Sequence, residues 1–122
     1  AYFRKTGIFP IMHAIAIRKD VAKKHPDLPM AVCKAYSKAK RRALNALYKL
    51  GWANISLPWI AQEIEDTRMA MGDNFWPYGI EPNRKTLETL FRYSHRQGLA
   101  SRELTIEELF HPASLEFEEE GI

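Results

Sequence analysis

The sequence predicts a mostly helical C-terminal piece of an α/β protein, with one β-strand near its N-terminus. Three observations lead there: a short apolar run at residues 11–19, helical periodicity over most of the chain beyond it, and no second strand pattern for the first to pair with. A lone strand leaves its backbone donors and acceptors unpaired. The sheet is therefore expected to begin upstream, and the 122 residues are read as one portion of a larger protein.

The strand is IMHAIAIRK, residues 11–19, set off by Pro10 and Asp20, with isoleucines at 11, 15 and 17. His13 shares a face with those isoleucines and is expected to be buried. A short helix runs from Asp20 to about His25 and stops at HPDLP. A long basic helix comes next and ends near Gly51. Its apolar stripe is Val32, Ala35, Tyr36, Ala39, Ala43, Leu47 and Leu50, which leaves Lys34, Lys38, Arg41, Arg42 and Lys49 largely on the other side. The next helix runs from about Pro58 to Met71, with Gly72 as its stop. Asn83 behind Pro82 reads as the N-cap of a further helix, whose stripe is Leu87, Leu90 and Phe91 and whose stop is Gly98. Last, TIEE at 105–108 is a capping box, with Leu104 and Leu109 as its hydrophobic staple.

Charge is unevenly spread. Residues 18–49 hold ten Lys or Arg against two Asp, residues 103–120 hold seven Glu and no Lys or Arg, and a net charge of +3 conceals both. A nucleic-acid footprint needs basic residues on one face with stacking or base-reading partners among them. The basic residues of the long helix instead form an ordinary solvated face. No nucleic-acid partner is expected, and no membrane one, because no apolar run approaches the roughly 20 residues that span a bilayer. Cys33 is the single cysteine, so neither a disulfide framework nor a zinc module is indicated. The chain opens AYFRKTGIFP, with no initiator methionine and no signal-peptide pattern.

Aromatic residues are concentrated in GDNFWPYGIEPNRK, where glycines and prolines make a loop between two helices. Trp76 and Tyr78 there either plug the groove between the helices or line the mouth of a ligand cleft. Arg84 follows in the first turn of the next helix, placed either to hold an anion or to face solvent.

The runs TGIFPIMHAIAIRKDVAKKHPDLP, AKRRAL, LPWIAQEIEDTRMAMGDNFWPYGIEPNRKTLE, RYSHRQGL and LTIEELF resemble the C-terminal third of 4,5-dihydroxyphthalate decarboxylases. FPIMH and DNFWPYGIEPNRKTLE are the more specific pieces. The resemblance covers nearly the whole chain. It implies a type 2 periplasmic-binding-protein-like fold, two α/β lobes around a cleft, which solute-binding components of ABC transporters share. It also implies a carboxy-lyase acting on an aromatic dicarboxylate such as 4,5-dihydroxyphthalate, with a fragment lacking the other lobe inactive. The alternative is a ligand-binding protein that closes on a similar molecule without turning it over. A cytoplasmic location goes with the enzyme and a periplasmic one with the binding protein.

Loss of carbon dioxide from an aromatic ring leaves electron density at the departing carbon, which needs a proton donor, a hydroxyl-assisted protonated ring or a metal. The two substrate carboxylates need cations, and arginine holds a carboxylate bidentately. The candidates are His13 as the catalytic residue and Arg18, Trp76, Tyr78 and Arg84 for substrate binding. Each has a plainer reading. His13 is either a hydrogen-bonded core histidine or a residue bordering a crevice at a strand end. His95 follows Phe91 by four residues and fits helix packing, and His25 and His111 precede prolines and fit turns. No histidine and carboxylate pair has a metal spacing, so no metal ligand is assigned and the cofactor is left open. A small aromatic carboxylate is the expected partner. A lone apolar strand edge at residues 11–19 also predicts a homodimer of the fragment.

Overall fold

The computed structural model describes residues 2–49 and 56–120. These residues form seven helices: α1 (Tyr2–Thr6), α2 (Lys19–Lys24), α3 (Leu28–Tyr48), α4 (Ile60–Met71), α5 (Arg84–Arg96), α6 (Ile106–Leu109) and α7 (Pro112–Leu115). A 3-10 turn, Glu81–Asn83, leads into α5.

The sequence places α2 to α6 within a few residues, whereas α1 and α7 were not expected. Pro29 in the first turn of α3 satisfies the rule that proline is tolerated where the N–H has no intrahelical partner. Gly72 ends α4 with φ 83°, a conformation that costs a residue with a Cβ. The predicted capping box is present: the Thr105 hydroxyl accepts from the Glu108 N–H and the Glu108 carboxylate accepts from the Thr105 N–H at 3.0 Å. Its staple is only half made, because Leu104 packs on the core whereas Leu109 is exposed and Ile106 is the residue buried.

The α/β class is a correction. No strand occurs among the described residues, and residues 11–18 are irregular and mostly exposed, with Lys19 already opening α2. His13 is exposed, not buried beside isoleucines. The physical reason is the one that made the strand uncomfortable: a ladder needs a second strand, and the described residues supply none. The two-lobed α/β architecture implied by the resemblance is likewise not what these residues form.

The core centres on Ile80, Leu87, Phe91 and Ile106, with Leu104, Phe110 and Leu115 packed around them. It joins the turn before α5, one face of α5 and the helices after it. The α3 helix packs against α7, and Lys85 of α5 donates to the Thr6 carbonyl at 2.5 Å. The accessible surface is 9673 Å² for 14.1 kDa. A compact domain of that mass exposes roughly 6,700 Å². The difference is consistent with the many large apolar side chains left in solvent, Met12, Trp59, Met69 and Leu99 among them.

The α3 helix is turned away from its expected orientation. Ala35, Tyr36, Ala39 and Ala43 of the predicted stripe face solvent, while Pro29, Ser37 and Leu44 are buried. Lys40 lies with this second group and its side chain is only 8% exposed. Polar bonding of Ser37 and Lys40 to the C-terminal segment decides this orientation. Leu50 and Gly51, where the helix was expected to end, lie outside the described residues.

Candidate functional site

The aromatic loop between α4 and α5 is tied down residue by residue. The Tyr48 hydroxyl donates to the Asp73 carbonyl at 2.6 Å, and Arg68 Nε donates to the Asp73 carboxylate at 2.7 Å. Asn83 Nδ2 donates to the carbonyls of Pro77 at 2.7 Å and Gly79 at 2.9 Å. Asn83 stands before α5 as expected, yet its side chain makes no cap bond to the helix and holds the loop instead.

At the centre lies a charged pair from distant parts of the chain. Lys40 Nζ of α3 donates to Glu119 Oε2 at 2.5 Å, to Asn74 Oδ1 at 2.9 Å and to the Trp76 carbonyl at 2.8 Å. Those three bonds match the three donors of an ammonium group. Glu119 also accepts from Asn74 Nδ2 at 3.0 Å, the Tyr78 N–H at 2.8 Å and the Ser37 hydroxyl at 3.1 Å. Both side chains are 8% exposed. Burial opposes ionisation of Glu119, but the bonds from Lys40, the Tyr78 N–H and Asn74 outweigh it and hold the carboxyl below its ordinary range.

This framework presents the loop's aromatic rings. Trp76 is 57% exposed, which decides against the first of its two readings, a plug buried between the helices. Its ring meets Phe75 edge-on at 5.4 Å and Phe9 at 6.4 Å. Tyr78 is partly exposed, with the Lys40 ammonium 4.2 Å from its ring centre. Burial, then the Glu119 carboxylate and Tyr36, pushes the Tyr78 phenol up, so it keeps its proton at neutral pH.

The other candidates stand apart from this loop or are already engaged. His13 and Arg18 are exposed on the segment between α1 and α2 that Phe9 links to Trp76. Arg18 pairs with Asp20 at 2.6 Å in solvent. Arg84 pairs with Glu81 at 2.5 Å and Glu88 at 3.7 Å. Two of the other histidines have structural partners: His95 Nδ1 lies 3.3 Å from the Ala100 carbonyl, and His111 Nδ1 accepts the Ala113 N–H. Cys33 is half-buried, and burial pushes its thiol up, away from nucleophilic character.

Two hollows open among the described residues bear on binding. One, about 280 Å³, lies between α1, Phe9 and α4; the other, about 310 Å³, is lined by Arg84, Glu88, Phe91 and the Leu104–Glu107 stretch. The second sets two carboxylates against one guanidinium, a poor charge match for a dicarboxylate. Among the described residues no group of three His, Cys, Asp or Glu is placed to hold a metal ion, and no helix is long and apolar enough to cross a membrane.

Lys40, Glu119 and Asn83 were missed as organisers of the site. A trace of Lys40 existed in its spacing, three residues after Ser37 and four before Leu44, on the face that is buried. Nothing local pointed to Glu119, one of four glutamates within five residues near the end of the chain.

No family model matches the chain. It is 39% identical over 115 residues to a curated Comamonas testosteroni protein described as 4,5-dihydroxyphthalate decarboxylase. The similarity takes in 94% of this chain and 35% of the relative. The chain is thus similar over nearly its whole length to a protein described as 4,5-dihydroxyphthalate decarboxylase, and it spans about a third of that relative's length.

Proposed function

We propose that the protein containing this chain is a carboxy-lyase that removes carbon dioxide from an aromatic dicarboxylate such as 4,5-dihydroxyphthalate. The observation that carries this reading is the 39% identity across nearly the whole chain. The geometry supports it in one respect: a firmly held loop offers the exposed indole of Trp76 and the protonated hydroxyl of Tyr78 together. An aromatic substrate ring fits against the indole, and the hydroxyl donates to a substrate oxygen.

Arg18 is the better candidate for a substrate carboxylate, because its solvent-exposed pair with Asp20 is weak and can be exchanged for a bidentate ligand. Arg84 is held by two glutamates and is the weaker one. His13 is proposed to return a proton to the ring carbon that loses carbon dioxide, so that one C–H bond replaces one C–C bond. The rest of a protein of the relative's length supplies the other side of the site.

The test is carbon dioxide release from 4,5-dihydroxyphthalate by the full-length protein, with and without a chelator. Turnover supports the lyase. Absence of turnover across related phthalates overturns it, and saturable binding without turnover identifies the ligand-binding alternative.

A further inference from the structure

We propose that Glu119 is a positioning residue, whose carboxylate fixes the aromatic loop and so sets where Trp76 and Tyr78 stand. As a role in catalysis this rests on the reading that these two residues meet the substrate. As a statement about the loop it stands on geometry.

Glu119 gathers α3 and the aromatic loop on one carboxylate. Oε1 accepts from Ser37 of α3, and Oε2 accepts from Lys40 of α3, from the Asn74 side chain and from the Tyr78 backbone. Lys40 extends the grip to the Trp76 carbonyl. Three of the five residues from Asn74 to Tyr78 are therefore bonded to this one buried pair. The C-terminal segment also lies directly on the loop, since the Phe117 carbonyl oxygen is 2.7 Å from where a Cβ on Gly79 would sit. A buried carboxylate with four donors holds its geometry strongly, because releasing it strands charge and donors together. The aromatic faces point outward, but the atoms that position them are inside.

Glu119→Gln keeps size and shape, removes the charge and turns one acceptor into a donor. In the full-length protein, amide exchange over residues 73–80 is expected to quicken roughly tenfold or more, as loss of a charged hydrogen-bond acceptor implies. Exchange in α5 stays slow. With 4,5-dihydroxyphthalate, KM rises while kcat changes little, the mark of lost binding shared by ground and transition states. Asn74→Ala removes one donor without touching the pair's charge and is expected to quicken exchange in the same residues by less. Unchanged exchange over 73–80 in both variants overturns the positioning role. So does an equal loss of protection in α5 in both, which marks general destabilisation. If wild type turns over no phthalate, the lyase reading fails, while the exchange result still decides whether Glu119 holds the loop.

Discussion

A Cβ on Gly79 would lie 2.7 Å from the backbone carbonyl oxygen of Phe117, and Gly79 has φ 101°. Both facts exclude a side chain at the point where the C-terminal segment crosses the aromatic loop. Gly79→Ala is expected to destabilise the chain by more than the ~1–3 kcal/mol of an unfavourable backbone conformation, since the obstacle is main chain and cannot rotate aside. Gly98→Ala is the control: φ is 73° but nothing lies within 4 Å, so it carries the conformational cost alone. Equal melting shifts for the two variants would contradict the close approach.

Phe91 and Trp76 separate the core from the presented surface. Phe91 is buried with Ile80, Leu87 and Ile106, so Phe91→Ala should cost about 3–5 kcal/mol. Trp76 is mostly in solvent, with edge contacts to two phenylalanines, so Trp76→Ala should cost only about 1 kcal/mol. Denaturant midpoints of the two variants check this. A Trp76 loss as large as that of Phe91 would restore the buried-plug reading.

The helices were legible because their signals are local. The Gly72 stop and the Thr105–Glu108 capping box act within a turn or two of chain and needed no tertiary information. The strand failed because apolar β-branched residues say that a segment suits a sheet, not that a partner is within reach. The α3 face failed for a different reason. Apolar periodicity favoured Tyr36, Ala39 and Ala43, but the helix turns Ser37 and Lys40 inward because Glu119 meets them there. A buried ion pair between residues 79 positions apart adds nothing to an apolar stripe, so the spacing of Lys40 with Ser37 and Leu44 was outweighed by the alanines and Tyr36. The same long-range bonding hid the site's framework, whereas its exposed rings, Trp76 and Tyr78, stood out by composition alone.

Glu108 gives a pH prediction with a defined sign. The Arg102 side chain, 2.8 Å away, and the Thr105 N–H lower its carboxyl to about 2. A depressed folded value means that its contribution is fully present above the unfolded carboxyl's ~4.3 and is lost as pH falls toward about 2. Arg102→Ala is expected to raise the Glu108 midpoint toward the ordinary value, and Thr105→Ala, which keeps the N–H and removes only the hydroxyl's smaller contribution, to raise it less. Side-chain carbonyl NMR titration measures both. A midpoint unmoved in Arg102→Ala would show that the guanidinium is not what holds the charge.

Residues 9–17 carry the last prediction. Phe9, Ile11, Met12 and Ile15 are 38%, 40%, 72% and 53% exposed on a segment without regular secondary structure. An apolar side chain gains about 1.5–3 kcal/mol when burial replaces full exposure, so even partial covering of several neighbours drives association. The 122-residue chain is therefore expected to self-associate through this segment, with its mass in sedimentation rising over a concentration series. Met12→Lys and Ile15→Lys place charge in the contact and should each shift the association midpoint upward by roughly tenfold or more, by the same measure of burial. A protein as long as the relative should associate less if its remaining length covers these side chains. A chain that stays monomeric at all concentrations, with the lysine variants indistinguishable from wild type, would show that the segment needs no cover.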